Sequence, residues 1–354
     1  VRGGSERLSA EQASAEQTRI DQATVVPASR IWVGGYTPEM EGTGRGIALL
    51  HRDTAGTLSY AGVAAETSSP SFLARAGDIL YAAGESGPTV SAFGLSGDEL
   101  TPLADVPTGG SFPCALTVVG DLLLAACYGD GALVVHPRGN AGDLRPPTQV
   151  LHSAGAGPHG AQDGPHAHGA LQTDADTVLS ADLGTDRVYI HRVDAAGLTR
   201  TGEVALPAGT GPRDLVLRPS GDVWVLGELS AEVLVLRRQG ATFVVVARVP
   251  LAGAEPGDHA SGLALRADGR ALFVGLRGSN RVAVVPVGDT GELQASVTST
   301  DCGGDWPRHL VAVGDHLYVA NQRSGTVATF RIDGNAPVLQ AVLAVPTPTY
   351  LLVG

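Results

Sequence analysis

The sequence predicts an all-β protein, a seven-bladed β-propeller whose first blade is completed by the C-terminal strand. Three observations predict it. Short apolar strands are separated by abundant, evenly spread Gly and Pro, the chain resembles itself at a period of roughly 40–50 residues, and its two end segments complement each other. No stretch carries helical periodicity.

Each repeat opens on a Pro followed by a short apolar strand. It reads Pro70-Ser71-Phe72-Leu73, Pro113-Cys114-Ala115-Leu116, Pro212-Arg213-Asp214-Leu215, Pro307-Arg308-His309-Leu310 and Pro348-Thr349-Tyr350-Leu351. Pro165 before His166 and the stretch 259–263 are looser copies. Next come an apolar strand, a small-residue turn and an alternating strand, at 80–93, 122–135, 178–190, 223–236, 272–285 and 317–330. A weaker fourth strand ends the unit, as at 243–249 and 338–345. Four strands with no helix make a propeller blade. At the start of the chain, 30–37, 46–52 and 58–65 supply strands two to four with no strand one before them. The segment 349–353 matches the missing strand, and donating it from the C-terminus closes the ring and removes an open sheet edge. One propeller domain is therefore expected over 30–354, behind a polar leader at 1–29 that is mobile or a short surface helix.

Composition narrows the function. At 354 residues the chain is long for one domain, but propellers often are. A formal charge of −12 disfavours nucleic acid and anionic membranes, which call for a basic face. No apolar run is long enough for a membrane helix, and the leader lacks the apolar stretch of a secretory signal, so a cytoplasmic location is expected. The cysteines, Cys114, Cys127 and Cys302, are odd in number and irregularly spaced, which argues against a disulfide framework or a Cys-based metal site. Every cationic side chain apart from His is Arg, so Schiff-base chemistry through Lys is removed. No phosphate loop and no Gly-x-Ser-x-Gly elbow occurs. No cofactor is expected, and the oligomeric state is left open.

In such a blade the loop into strand one and the turn between strands two and three lie on the same face, at one mouth of the channel. After the entry Pro the sequence reads Ser71, Cys114, His166, Arg213, Arg308 and Thr349. At the turn it reads Glu85, Tyr128, Leu183, Glu228, Arg277 and Gln322, preceded in blade four by Asp182. A purely structural repeat would reuse similar residues; these are varied, polar and often ionisable. They suggest a site assembled from several blades.

The same residues carry a family resemblance. GPHAHGAL (164–171), SADLGTDRVYIH (180–191), GTGPRDLVLRPSG (209–221), GELSAEVLVL (227–236), LRADGRALFVGLRGSNRVAVV (265–285) and WPRHLVAVGDHLYVANQRSGTV (306–327) resemble successive blade signatures of the seven-bladed propeller lactonases. That family includes bacterial 6-phosphogluconolactonases and is related to fungal carboxymuconate cycloisomerases. VGGYT (33–37) and SPSFLA (69–74) resemble its opening. The resemblance covers about 31–354 and implies either hydrolysis of a lactone or a lactone-forming cycloisomerase step. Through the cycloisomerase branch it marks His168, Arg213, Glu228 and Arg277 as the catalytic set. The chain departs from the family pattern at Asp214, Gly227, Leu276, Ala115 and Cys127, where polar channel residues are usual. This points towards a less polar substrate than a phosphosugar, in a specialised pathway.

Read as chemistry, His168 would activate water near neutral pH, or else line the channel structurally. Arg213 and Arg277 would clamp an anionic group and steady an oxyanion, or else form an interblade ion pair with Glu228 or Asp214. Glu228 competes with His168 as base, but a place between two arginines would hold its carboxyl low, so it is expected to orient them or the water. His166, Asp182, Arg308, Glu85 and Gln322 are candidate substrate contacts, with Asp182 and Glu85 equally readable as turn formers or rim charges. His166 and His168, with His159, form a weak metal pattern that no carboxylate or Cys completes, and no metal is expected. His51, His136, His152 and His191 are expected on or near outer strands, exposed or packed. The leading expectation is metal-independent hydrolysis of a small anionic lactone; the alternatives are a cycloisomerase or cyclase at the same site, or a non-catalytic binding propeller.

Overall fold

Seven four-stranded antiparallel sheets stand radially around a channel; six run in chain order from an inner strand to an outer one, and the first takes its inner strand from the C-terminal end. The computed structural model describes residues 28–139, 143–195, 197–296 and 298–354. The expected leader falls outside the described residues up to position 27, and Ser29 already opens a strand. Among the described residues, the one short helical turn is Pro38–Met40, and no helix is long and apolar enough to cross a membrane.

The ring closes as the ends of the chain suggest. Pro348–Val353 pairs with Ser29–Gly35, which continues through Gly46–Arg52 to Leu58–Glu66. Closure is also fixed by a polar contact between the last blade and the first. The Tyr318 hydroxyl donates to the Gly56 carbonyl at 2.8 Å and accepts from Arg52 Nε at 2.8 Å.

The core lies between blades rather than within one. Seven apolar clusters each join the facing sides of two neighbouring sheets, such as Trp224, Val233 and Val235 against Leu272, Val274 and Ala283. A sheet covered on both faces needs apolar residues at every position. Ala271–Arg277 and Ile79–Gly84 are accordingly buried throughout, whereas the outer strand Ala336–Ala344 is mostly exposed.

One device recurs at the inner corners. Ser69, Phe112, Trp306 and Thr347, each just before a corner Pro, take left-handed φ values of 41°, 51°, 66° and 37°, and Gly211 takes 59°. The corner carbonyl then accepts the N–H of the turn residue in its own blade: Glu85 to Ser69 at 3.0 Å, Tyr128 to Phe112 at 2.9 Å, Glu228 to Gly211 at 2.8 Å, Gln322 to Trp306 at 3.0 Å and Tyr36 to Thr347 at 3.1 Å. Immediately after the corner the ladder slips, so that one residue bulges out of register: Ser71, Cys114, His168, Arg213, Arg308 and Thr349, with a wider slip around Ser261. A bulge re-aims its side chain, here into the channel. The corner therefore positions two residues per blade, one on each of two stacked rings.

Leu351 is 2% exposed and packs in the cluster joining the last blade to the first. Leu351→Ala should cost about 2–5 kcal/mol, the usual range for emptying a buried leucine site. Denaturant unfolding measures it, and a cost below about 1 kcal/mol would show that the closing strand carries little of the fold.

Candidate functional site

The bulge ring runs Thr349, Ser71, Cys114, His168, Arg213, Ser261, Arg308 from blade one to blade seven. The turn ring above it runs Tyr36, Glu85, Tyr128, Leu183, Glu228, Arg277, Gln322. One expected alignment is corrected. In blade four Ala167, not Pro165, holds the corner position, so His168 is the ring residue and His166 lies before the strand.

Around blades four to six, His168, Arg213, Glu228 and Arg277 form one buried cluster. Arg213 Nη1 lies 2.6 Å from Glu228 Oε2 and 2.5 Å from His168 Nε2, while its Nε donates to the Ser261 carbonyl at 2.6 Å. Arg277 Nη2 lies 2.8 Å from Glu228 Oε1, and His259 Nδ1 lies 2.9 Å from the same oxygen. Arg277 Nε also donates to the His259 carbonyl at 3.2 Å. The interblade ion pair is thus real and involves Glu228. Asp214 instead accepts the N–H groups of Leu215 and Leu263.

Electrostatics follow from this enclosure. Burial alone would raise the Glu228 carboxyl, but Arg277, Arg213 and His259 hold it well below the ordinary range, so it is ionised. Burial, reinforced by Arg213, drives His168 well below 6.5 and keeps it neutral. An arginine has only N–H groups to offer, so His168 Nε2 accepts from Arg213 and the ring proton sits on Nδ1. Burial lowers Arg277 to about 9, against the pull of Glu228.

A second cluster spans blades seven, one and two. Glu85 accepts from the Tyr36 hydroxyl at 2.9 Å and faces Arg308 Nη2 at 3.6 Å; Arg308 Nη1 donates to Gln322 at 3.2 Å. Glu85 is therefore a buried ion-pair partner, not a rim charge. Arg308 also sits 4.9 Å from the centre of the Tyr36 ring. Beneath the rings is a cavity of about 260 Å³, and a ring stack forms part of its wall. Phe72 and His309 lie 4.0 and 3.9 Å from Tyr350, centre to centre.

Two expected contacts are turned elsewhere. His166 Nδ1 lies 2.6 Å from the Tyr128 carbonyl, its Nε2 lies 3.0 Å from Asp163, and its ring stacks on Tyr128 at 4.4 Å. Asp182 is 1% exposed and accepts from the backbone of His166, Gly184 and Thr185 and from Ser153, so it is a turn former. Of the outer histidines, His136 and His191 are fully buried. Among the described residues, no three His, Cys, Asp or Glu side chains are grouped to hold a metal. The Cys114 thiol, pushed up to about 12 by burial, is protonated.

Sequence reasoning overlooked Tyr36 and His259. Tyr36 fills the turn ring in the blade split between the two ends of the chain; the VGGYT string was its signal. His259 had one signal too, since its strand must pair with the strand carrying Arg277, and the two are direct partners.

Gly211 shows how tightly the corner is drawn. An added Cβ would lie 2.6 Å from Leu229 Cγ, at a backbone conformation that side chains disfavour. Gly211→Ala should therefore destabilise by about 1–3 kcal/mol and displace Glu228; a crystal structure of the variant with the Glu228–Arg213 pair unmoved would refute this.

Acid should unfold the protein in stages. His168 is held below 6.5, His191 falls to about 4 through burial and Arg200, and His309 to about 3 through burial and Arg213. Below pH 6.5 the unfolded chain takes protons that these folded imidazoles refuse, so stability falls as pH falls, by about 1.4 kcal/mol per pH unit for each imidazole kept neutral. Below pH 4.5 the paired Glu228 adds a second loss. Urea midpoints from pH 7 to 4 should decline throughout; a flat profile between 6.5 and 5 would contradict the assignment.

Comparison with known proteins agrees with this architecture. The family described as Lactonase, 7-bladed beta-propeller matches residues 30–353. The 6-phosphogluconolactonase of Bacillus subtilis is 30% identical over 339 residues, covering 90% of this chain and 96% of the relative. The periplasmic gluconolactonase of Pseudomonas aeruginosa superposes with a TM-score of 0.84 at 27% identity, covering 92% of this chain and 99% of that one. A Lactobacillus plantarum protein superposes with a TM-score of 0.84 at 28% identity and the same coverage.

Proposed function

The chain belongs to the lactonase family of seven-bladed β-propellers, and from that premise we propose that it opens the ring of a small anionic lactone by hydrolysis, without a metal. The observation that carries the reading is the charge pattern of the two clusters. Two buried guanidiniums, Arg213 and Arg277, and the half-buried Arg308 face two carboxylates, Glu85 and Glu228, with His168 neutral. One positive charge is left over before His259 is counted, which suits an anionic ligand spanning the opening.

In this reading Arg277 and Arg213 meet the oxygen that becomes negative when water adds to the lactone carbonyl. Glu228 keeps both guanidiniums oriented, and His168 steadies Arg213 from below. Arg308 and Gln322, across the channel, hold the distal anionic group of the substrate. The Phe72, Tyr350 and His309 rings with Ala115 and Ala170 line the cavity that Arg213 and Arg308 also border, so a substrate reaching past these two guanidiniums meets an apolar wall, which favours a lactone less hydroxylated than a phosphosugar. Hydrolysis is preferred to cyclisation because the named relatives quoted above are lactonases.

The purified protein should be tested in a pH-stat against 6-phosphoglucono-δ-lactone, glucono-δ-lactone and a carboxylate-bearing γ-lactone. Acid release above the spontaneous rate is expected on at least one, with the carboxylated γ-lactone preferred. Arg277→Ala should raise KM at least about tenfold and lower kcat/KM about 100-fold or more. Ring chemistry that proceeds without acid release would instead identify a cycloisomerase.

A further inference from the structure

Hydrolysis needs a group with a vacant lone pair beside the reacting carbonyl, and the histidines around the cluster differ in this respect. His166 has both ring nitrogens committed, to Tyr128 and Asp163. His168 has its Nε2 lone pair occupied by Arg213 and is 9% exposed, in the wall of the cavity beneath the rings. His259 differs from both. Glu228 is ionised and can only accept, so in the neutral ring of His259 the proton is at Nδ1, directed at Glu228 Oε1 2.9 Å away. That leaves Nε2 with its lone pair, and among the described residues no group is hydrogen-bonded to it. The side chain is 31% exposed, so water can reach it.

Its placement is also fixed. His259 and Arg277 are direct partners on neighbouring strands, Arg277 Nε donates to the His259 carbonyl, and both side chains converge on Glu228 Oε1. An imidazole oriented by a carboxylate, with a guanidinium locked beside it, is an arrangement suited to attack by water on a carbonyl.

We propose that His259, oriented by Glu228, is the general base of this site, and that His168 is a positioning residue for Arg213. The assignment rests on the lactone-hydrolase reading. His259 Nε2 takes a proton from water as the water oxygen bonds to the lactone carbonyl carbon. The carbonyl electron pair moves onto its oxygen, facing the guanidiniums. When the intermediate collapses, the ring C–O bond breaks and the imidazolium returns its proton to the leaving ring oxygen. The product is the hydroxy acid, whose carboxyl proton passes to solvent.

The test uses whichever of the three lactones named above the wild type opens fastest. His259→Ala should lower kcat about 100-fold or more while KM stays within about threefold. Added imidazole should restore part of that loss above the imidazole-only background. His168→Gln should instead raise KM through a loosened Arg213 and gain nothing from imidazole. Should His259→Ala fold poorly, His259→Gln keeps an N–H for Glu228 and serves in its place, with the same expected loss of kcat. A histidine-259 variant that keeps kcat within about threefold of wild type, or imidazole rescue of His168→Ala in its stead, overturns the assignment alone. A wild type silent on all three lactones overturns the hydrolase reading and the base with it.

Discussion

The inner corner of each blade governs the rest of the molecule. In five of the seven blades a residue in a left-handed conformation turns its carbonyl back onto the N–H of the blade's own central turn, and the next ladder step slips by one residue. Bulky residues such as Trp306 and Phe112 do not adopt that conformation without cost, of about 1–3 kcal/mol each. The surrounding sheets offset it, and the return is positional. Because turn and bulge are tied by one backbone hydrogen bond, the spacing between Glu228 and Arg213, or between Gln322 and Arg308, is a property of the main chain. Side chains that different blades contribute can then meet within hydrogen-bond distance without any loop having to be ordered separately.

What the corners bring together is an unusual quantity of enclosed charge. A buried ion pair is seldom a net source of stability, because each ion gives up its hydration. Glu228 overcomes that penalty only through several partners at once: Arg213, Arg277 and His259 all converge on its two oxygens. Removing any one leaves the others poorly compensated, so the cluster behaves as a unit. The second cluster is looser, with Arg308 and Glu85 3.6 Å apart.

Most of the architecture was legible because repetition exposes it. The entry Pro, the apolar second strand and the unmatched end segments each recur or fit, and they locate the blade boundaries to within a residue or two. The site was legible wherever a blade kept its Pro: Arg213 and Arg308 were found at the right ring position. Blade four lacks the Pro at its corner, and Pro165 two residues earlier put His166 at the ring position that belongs to His168, which the family resemblance had marked independently. Blade six lacks it as well, which hid His259. Tyr36 was obscured because its blade is assembled from both ends of the chain. The direction of a hydrogen bond left no trace in the sequence at all. That Arg213 occupies the Nε2 of His168, while Glu228 leaves the Nε2 of His259 open, depends on which side chains meet in space.

The closing strand also sets an order of events. Pro348–Val353 is made after every other strand of the ring, and the sheet it completes waits with a bare inner edge until then. Blades four to six need nothing from it, so the Arg213–Glu228–Arg277 cluster can assemble while translation continues. The cluster of Arg308, Tyr36 and Glu85 straddles the seam and comes together only when the ring shuts. A nascent or frayed molecule would thus hold one charged cluster in place, and the seam decides when the other arrives.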